Sequence, residues 1–268
     1  MPDTDLDLSA DMFRSGTTPK TTSITMQRRL QGPVNRDVSY TEVGGNALFE
    51  GDIVLATVEE VRAAEQAAES RGIGIIGANF RWPGGIIPFV IATEAVRARV
   101  EAAIAHWRER TPFKFVKRTT EEGFISFEQQ DGCWSRVGHQ GQKQVISLAP
   151  GCGLGSAIHE IGHAIGLWHE QSRSDRDEHI EIVTANIDPS VIHNFDKHIQ
   201  DGKDLGMYDF GSIMHYPATA FSVNGQPTIR VKGGQPIGQR NGLSVGDIEA
   251  VRLMYPDLDW SQHAAPTA

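Results

Sequence analysis

The feature that most restricts this chain is one run of residues, His159-Glu160-Ile161-Gly162-His163-Ala164-Ile165-Gly166-Leu167-Trp168-His169. Its pattern is H-E-x-x-H-x-x-G-x-x-H. Residues four apart on an α-helix share a face, about 6 Å apart along the axis. A helix here lets His159 and His163 aim two imidazole nitrogens at one cation, at Zn–N distances of about 2.0–2.1 Å. Glu160 sits one step round the helix, within reach of a water on that cation without being a ligand. A helix continued to His169 would carry the third imidazole away from the first two. Gly166 removes the conflict, because glycine takes φ > 0 without steric cost and turns the chain so that His169 completes the set. Three protein ligands leave a position for water or substrate, the arrangement of a catalytic rather than a structural zinc. An amphipathic helix carrying exposed histidines would not also need a glutamate and a glycine at these offsets.

Composition narrows the field further. The 268 residues are 39% hydrophobic and 22% charged, enough to bury a core. A net charge of -9 argues against a general nucleic-acid binder. No apolar run approaches the ~18 residues of a transmembrane helix. The acidic start, MPDTDLDLSADMF, has no apolar core of a signal peptide. An exported form would have lost its leader before residue 1 or would use another route. Cys133 and Cys152 do not form a C-x-x-C pair, which argues against a cysteine zinc site. Two buried thiols and one disulfide, the latter worth ~3 kcal/mol in the chain-entropy model, remain open on composition alone.

Along the chain, residues 1 to about 45 show no sustained period and read as an extended, weakly structured arm. Ala47 to Leu55 reads as strand or turn, and Val58 to Ser70 as a helix of strong helix formers. This first quarter is too poor in large apolar side chains to form its own core and must lie against something else. From Phe80 the texture changes. Ile86 to Ala92 reads as a buried strand, and Thr93 is placed to cap a helix with Val96, Val100, Ile104 and Trp107 on one face. Phe113 to Val116, Phe124 to Phe127 and Gln144 to Leu148 read as strands, and Ser156 to Leu167 as a helix stopped by Gly166. A loop-rich stretch follows, closed by a helix from Val245 to Met254 after Ser244. The class is α+β.

The histidine pattern resembles that of the metzincin proteases. His169 continues as Glu170-Gln171-Ser172-Arg173-Ser174-Asp175-Arg176-Asp177, similar to the extension of the astacin family. Downstream, Ser212-Ile213-Met214-His215-Tyr216 resembles that family's Met-turn, and Trp82-Pro83-Gly84-Gly85-Ile86-Ile87-Pro88-Phe89 its first strand. Gly132-Cys133-Trp134-Ser135 with Val137-Gly138 is similar to its substrate-binding edge strand. The resemblance implies a two-subdomain catalytic domain: a twisted, mostly parallel sheet with an antiparallel edge strand and two long helices, then a loop-rich C-terminal subdomain. It implies a Cys133–Cys152 disulfide and hence an exported protein. The second disulfide usual in the family is missing, because its two positions align with Pro112 and Asp257. On that basis the C-terminal helix is held by packing alone.

By the same resemblance, His159, His163 and His169 bind one Zn²⁺, Glu160 is the general base, and Met214 is the apolar floor beneath the metal. Tyr216 is a zinc ligand in the resting mature enzyme and an oxyanion donor during reaction. Cys133, Trp134, Ser135, Arg136 and Val137 hold substrate. Phe49-Glu50-Gly51-Asp52 resembles the pro-segment motif F-x-G-D, whose aspartate, here Asp52, ligates zinc in the latent form. The expectation is an inhibitory pro-segment at 1–72 and a peptidase domain at 73–268. Cleavage near Arg71 by an activating protease or by the enzyme itself would release a new N-terminus, between Arg71 and Gly74, toward Glu170. Substrates would be proteins or peptides. An acidic residue after the scissile bond would need a basic partner, for which Arg230, Lys232 and Arg240 are candidates. Two alternatives compete. An inactive zinc-binding module for peptides or carbohydrates would have lost the base or a ligand, and neither is lost. A metzincin of the matrix-metalloproteinase kind would carry a blocking cysteine upstream, and residues 1–72 contain none.

Overall fold

The structure, a computed structural model, describes residues 20–28, 32–66, 80–197 and 203–263. The N-terminal part is an antiparallel sheet of four strands in sequence order: β1 (Lys20–Arg28), β2 (Gly32–Val43), β3 (Asn46–Phe49) and β4 (Ile53–Thr57), followed by helix α1 (Val58–Gln66). This corrects the expectation of a weakly structured arm for residues 20–43. The stretch Thr21-Thr22-Ser23-Ile24-Thr25 is rich in β-branched residues, which favour extended backbone. Pairing from Lys20↔Tyr40 to Arg28↔Gly32 satisfies that backbone. Residues 67–70, including the expected end of α1, lie outside the described residues.

The remaining strands form the main sheet. They are β5 (Ile86–Ile91), β6 (Lys114–Lys117), β7 (Phe124–Glu128), β8 (Cys133–Trp134) and β9 (Lys143–Leu148), in the order β6-β5-β7-β9-β8. All neighbours are parallel except β8, which runs antiparallel to β9 at the edge. Helix α2 (Arg97–Arg110) buries Val100, Ala103, Ile104 and Trp107, and Val96 is buried in the turn before it. Thr93 does not cap that helix; its Oγ1 instead accepts from the Gln129 amide at 3.2 Å, tying the start of the helix to the end of β7. Helix α3 (Leu154–Ile165) packs beside α2, where the Trp107 indole N–H donates to the Ile158 carbonyl at 3.1 Å. The observed α3 starts and stops two residues earlier than expected, and Gly166, at φ 123°, ends it. The Cys133–Cys152 disulfide is formed and ties edge strand β8 to the loop before α3.

Beyond α3 lie short turns, a two-stranded antiparallel sheet of β10 (Ile180–Ile182) and β11 (Ile229–Val231), and helix α4 (Val245–Met254). Packing is not all that holds α4. Ser244 and Asp247 form a reciprocal capping box, and the buried Asp247 carboxylate also accepts from Ser212 Oγ at 2.6 Å and the Ile213 amide at 2.9 Å. Just past the helix, the Tyr255 hydroxyl donates to the Ile165 carbonyl at 2.7 Å. These bonds do the work that the missing disulfide would do. Asp247→Ala strands several buried donors at once, so we expect a loss of about 2–4 kcal/mol. Urea unfolding of the variant beside the parent checks it, and a change under about 0.5 kcal/mol would contradict this role.

Candidate active site

Each histidine is oriented by what its Nδ1 touches. His159 Nδ1 lies 2.8 Å from the Ile213 carbonyl, and His163 Nδ1 lies 2.8 Å from the Leu167 carbonyl. A carbonyl only accepts, so both Nδ1 atoms carry the proton and both Nε2 atoms present a lone pair. The Leu167 carbonyl is in place because Gly166 turns the chain at the helix end, as its spacing implied. His169 Nδ1 lies 2.7 Å from Glu50 Oε2, and its Nε2 is 3.2 Å from Asp52 Oδ2. His159 Nε2 is 3.3 Å from Asp52 Oδ2 and His163 Nε2 is 3.7 Å from Asp52 Oδ1. All four side chains are buried, and their ligand atoms lie within 4.8 Å of one another.

This set fits zinc. Tetrahedral bonds of about 2.0–2.1 Å put neighbouring ligands about 3.3 Å apart, close to the distances from Asp52 to His169 and His159. The Nε2 atoms of His159 and His163, and Asp52 Oδ1, are buried with no hydrogen-bond partner. Such orphaned atoms are costly unless a cation completes them. Charge agrees with geometry. Burial holds His163 well below the usual imidazole value and brings His159 down to about 4, leaving both free to donate lone pairs. His169 is also buried, but Asp52 and Glu50 outweigh burial and push it up to about 9. The two carboxylates thus draw positive charge into the cluster.

The neighbouring catalytic candidates are in place. Glu160 is fully buried and neither carboxylate oxygen has a hydrogen-bond partner. Burial, reinforced by the charge of Asp52, pushes its carboxyl well above the usual range. Met214 lies under α3: a Cβ added at Gly162 would come within 2.8 Å of its sulfur. The Tyr216 ring stands 4.7 Å from that of His169, and its hydroxyl donates to the Glu50 carbonyl at 2.5 Å. Glu170 accepts from the Asp209 amide at 2.7 Å beside a cavity of about 80 Å³ that Trp168, Arg173 and Lys203 also line. Burial pushes its carboxyl up to about 8. Residues 71–74, the expected new N-terminus, lie outside the described residues.

Four of the five edge residues, Trp134 to Val137, meet the N-terminal unit. Cys133 and Trp134 form β8, and Trp134 packs with Leu48 and Val54. The Ser135 amide donates to the Asp52 carbonyl at 3.0 Å, and the Val54 amide donates to the Ser135 carbonyl at 2.9 Å, a parallel bridge. Arg136 reaches Glu60 at 3.4 Å, and Val137 joins the cluster of Tyr40, Phe49, Ile53 and Leu55. Phe49 meets the Trp168 ring edge-on at 6.3 Å. The first quarter therefore does lie against something: the edge of the main sheet and the metal cluster. Sequence reasoning missed Glu50. The only signal available was its place beside Asp52.

Among known proteins, residues 75–256 match the family described as Astacin (Peptidase family M12A). Protein SpAN of Strongylocentrotus purpuratus is 38% identical over 229 residues, covering 77% of this chain and 37% of that protein. Tolloid-like protein 1 of Homo sapiens is 43% identical over 190 residues, covering 65% of this chain and 19% of its own length. The chain thus spans well under half the length of either relative. A solved structure of high choriolytic enzyme 1, a hatching enzyme zinc-protease from Oryzias latipes (Medaka fish), matches with a TM-score of 0.64 at 38% identity. That match covers 68% of this chain and 97% of the other.

The purified protein is expected to carry one zinc per chain by elemental analysis. His163→Ala should lose most of it, whereas Glu160→Gln should keep it, since Glu160 is not a ligand. Full zinc retention by His163→Ala would remove that residue from the metal set.

Proposed function

The chain belongs to the astacin family, and on that premise we propose that it is a zinc endopeptidase held latent by its own N-terminal segment. The observation that carries this reading is Asp52 lodged among His159, His163 and His169, with its backbone paired to Ser135. Bound zinc would supply a Lewis acid for the scissile carbonyl and acidify water. The side chains do the rest. Glu160, buried one position from His159, takes the proton from the attacking water and returns it to the leaving amine. The Tyr216 phenol, released from the Glu50 carbonyl, donates to the developing oxyanion. Ser135 and its neighbours on the edge offer backbone groups to an extended peptide by strand addition. Once residues 1–72 leave, Tyr216 is free to turn toward the metal in the resting enzyme.

Three further readings belong here. The disulfide supports an exported, extracellular protein, and among the described residues no helix is long and apolar enough to cross a membrane. Cleavage near Arg71, by another protease or by the enzyme itself, would free an N-terminal ammonium for which Glu170 is the buried acidic partner. Of the basic candidates, Arg230 faces Glu181 on the surface and Lys232 donates to the Asp177 carbonyl. Arg240 differs. It is half-buried overall, yet its Nε and Nη2 are shut off from water without a partner, and its charge acts on Asp52, Glu160 and His159. An acidic substrate residue after the scissile bond would complete it.

The latch is tested with purified full-length protein, Asp52→Ala and a trypsin-trimmed sample on a quenched peptide. Full-length protein should be inactive, the trimmed sample active, and Asp52→Ala active at a basal level or self-processed. Equal activity in all three, with no processing, would discard the latch. In trimmed protein, Glu160→Gln should lower kcat by 10²-fold or more, as loss of a general base does, at about the parental KM. Arg240→Gln should erase a preference for Asp or Glu after the scissile bond, read from a peptide-library digest. An unchanged preference would assign that role elsewhere.

A further inference from the structure

The three zinc-facing histidines are not held alike. His159 and His163 give their Nδ1 protons to carbonyls of Ile213 and Leu167, both within the family-matching region. His169 gives its Nδ1 to a carboxylate, Glu50, which belongs to the N-terminal segment. Glu50 is wholly buried, and its backbone sits at φ 49°, a left-handed conformation unfavourable for a residue with a Cβ. Burial of a carboxylate is also costly without close partners. The position compensates for both. Oε2 takes the His169 ring at 2.7 Å, Oε1 takes the Ser172 hydroxyl at 2.6 Å, and the Glu50 carbonyl takes the Tyr216 hydroxyl at 2.5 Å. Two residues on, Asp52 meets the other nitrogen of the same ring at 3.2 Å. The loop from Glu50 to Asp52 therefore grips the His169 imidazole from both sides.

We propose that Glu50 is a positioning residue for the zinc site, present only while the N-terminal segment is in place, so that the segment retains the metal as well as blocking the cleft. A carboxylate behind a ligating imidazole fixes its orientation and raises its basicity more than a neutral carbonyl does. Ser172 holds the second oxygen and so sets the carboxylate plane against the ring. Cleavage removes both acids together: Asp52 from the metal side of His169 and Glu50 from the far side. The latent form thus binds zinc more tightly and releases it more slowly than the mature form. This rests on the latency reading only in that cleavage is what removes Glu50; the contact itself belongs to the intact chain.

The test measures zinc release from zinc-loaded full-length protein into an excess of a chromophoric chelator. Glu50→Ala should release zinc at least about 10-fold faster than the parent, the range seen when an outer partner of a ligating histidine is lost. Glu50→Gln still accepts the Nδ1 proton but carries no charge, and should fall between the two. Thermal unfolding of the metal-free proteins, run alongside, separates metal retention from loosening of the loop. A structural role alone would lower the melting temperature of metal-free Glu50→Ala while leaving zinc release from Glu50→Gln at the parental rate. That pattern, or a parental release rate in both variants, overturns the proposal. Activity of the parental full-length sample is read in the same tubes. If that sample is already active, the latency reading fails while the release rates still decide the role of Glu50.

Discussion

The active centre depends on hydrogen bonds made behind the imidazole rings, away from the metal. Each Nδ1 proton is committed to an acceptor, which fixes the tautomer and turns the Nε2 lone pair inward. The acceptors come from three distant parts of the chain, and each has its own support. The Ile213 carbonyl is positioned because Asp247, at the start of α4, holds the Ile213 amide and the Ser212 hydroxyl. The Leu167 carbonyl is positioned by the turn at Gly166. A line of bonded groups therefore runs from the last helix to the first zinc ligand, through Asp247, Ile213 and His159. The C-terminal helix is part of the metal site's scaffold.

The N-terminal unit shows the opposite economy. Its apolar cluster includes Val137 from the main-sheet edge, and Trp168 packs against that cluster from the zinc-motif side. Docking is spread over three kinds of contact: apolar side chains, the parallel bridge at Ser135, and the acids Glu50 and Asp52 at the metal cluster. None needs to be strong while the chain is continuous, because the segment is held at high effective concentration.

How much of this was legible in the sequence follows from the range of the interactions. The metal set was legible because helical spacing and one glycine bring His159, His163 and His169 together by local geometry. Helix α4 was found to the residue, since Ser244 and Asp247 form a local cap. The other function of Asp247, holding Ser212 and Ile213, joins residues far apart in sequence and gave no local sign. Thr93 was misread for the same reason: it looks like a cap, but its hydroxyl accepts from the amide of Gln129, just past the end of β7. The strands at 20–43 show no sustained period, and the pairing that defines them joins residues as far apart as Lys20 and Tyr40. Glu50 was invisible for a sharper reason. A buried glutamate in a left-handed turn contradicts both the burial and the backbone preferences of its type, and its partners, His169, Ser172 and Tyr216, all lie more than a hundred residues away.

Asp52 is held through its backbone as well as its side chain. The Asp52 carbonyl takes the Ser135 amide, and the Val54 amide takes the Ser135 carbonyl. These are the edge-strand groups that an extended substrate would need. Removing the carboxylate alone leaves that pairing, and the packing of Phe49 and Ile53, intact. The Asp52 carboxylate and the strand pairing are therefore two separable contacts, the first made by one side chain at the histidine cluster and the second by backbone groups on either side of Ile53.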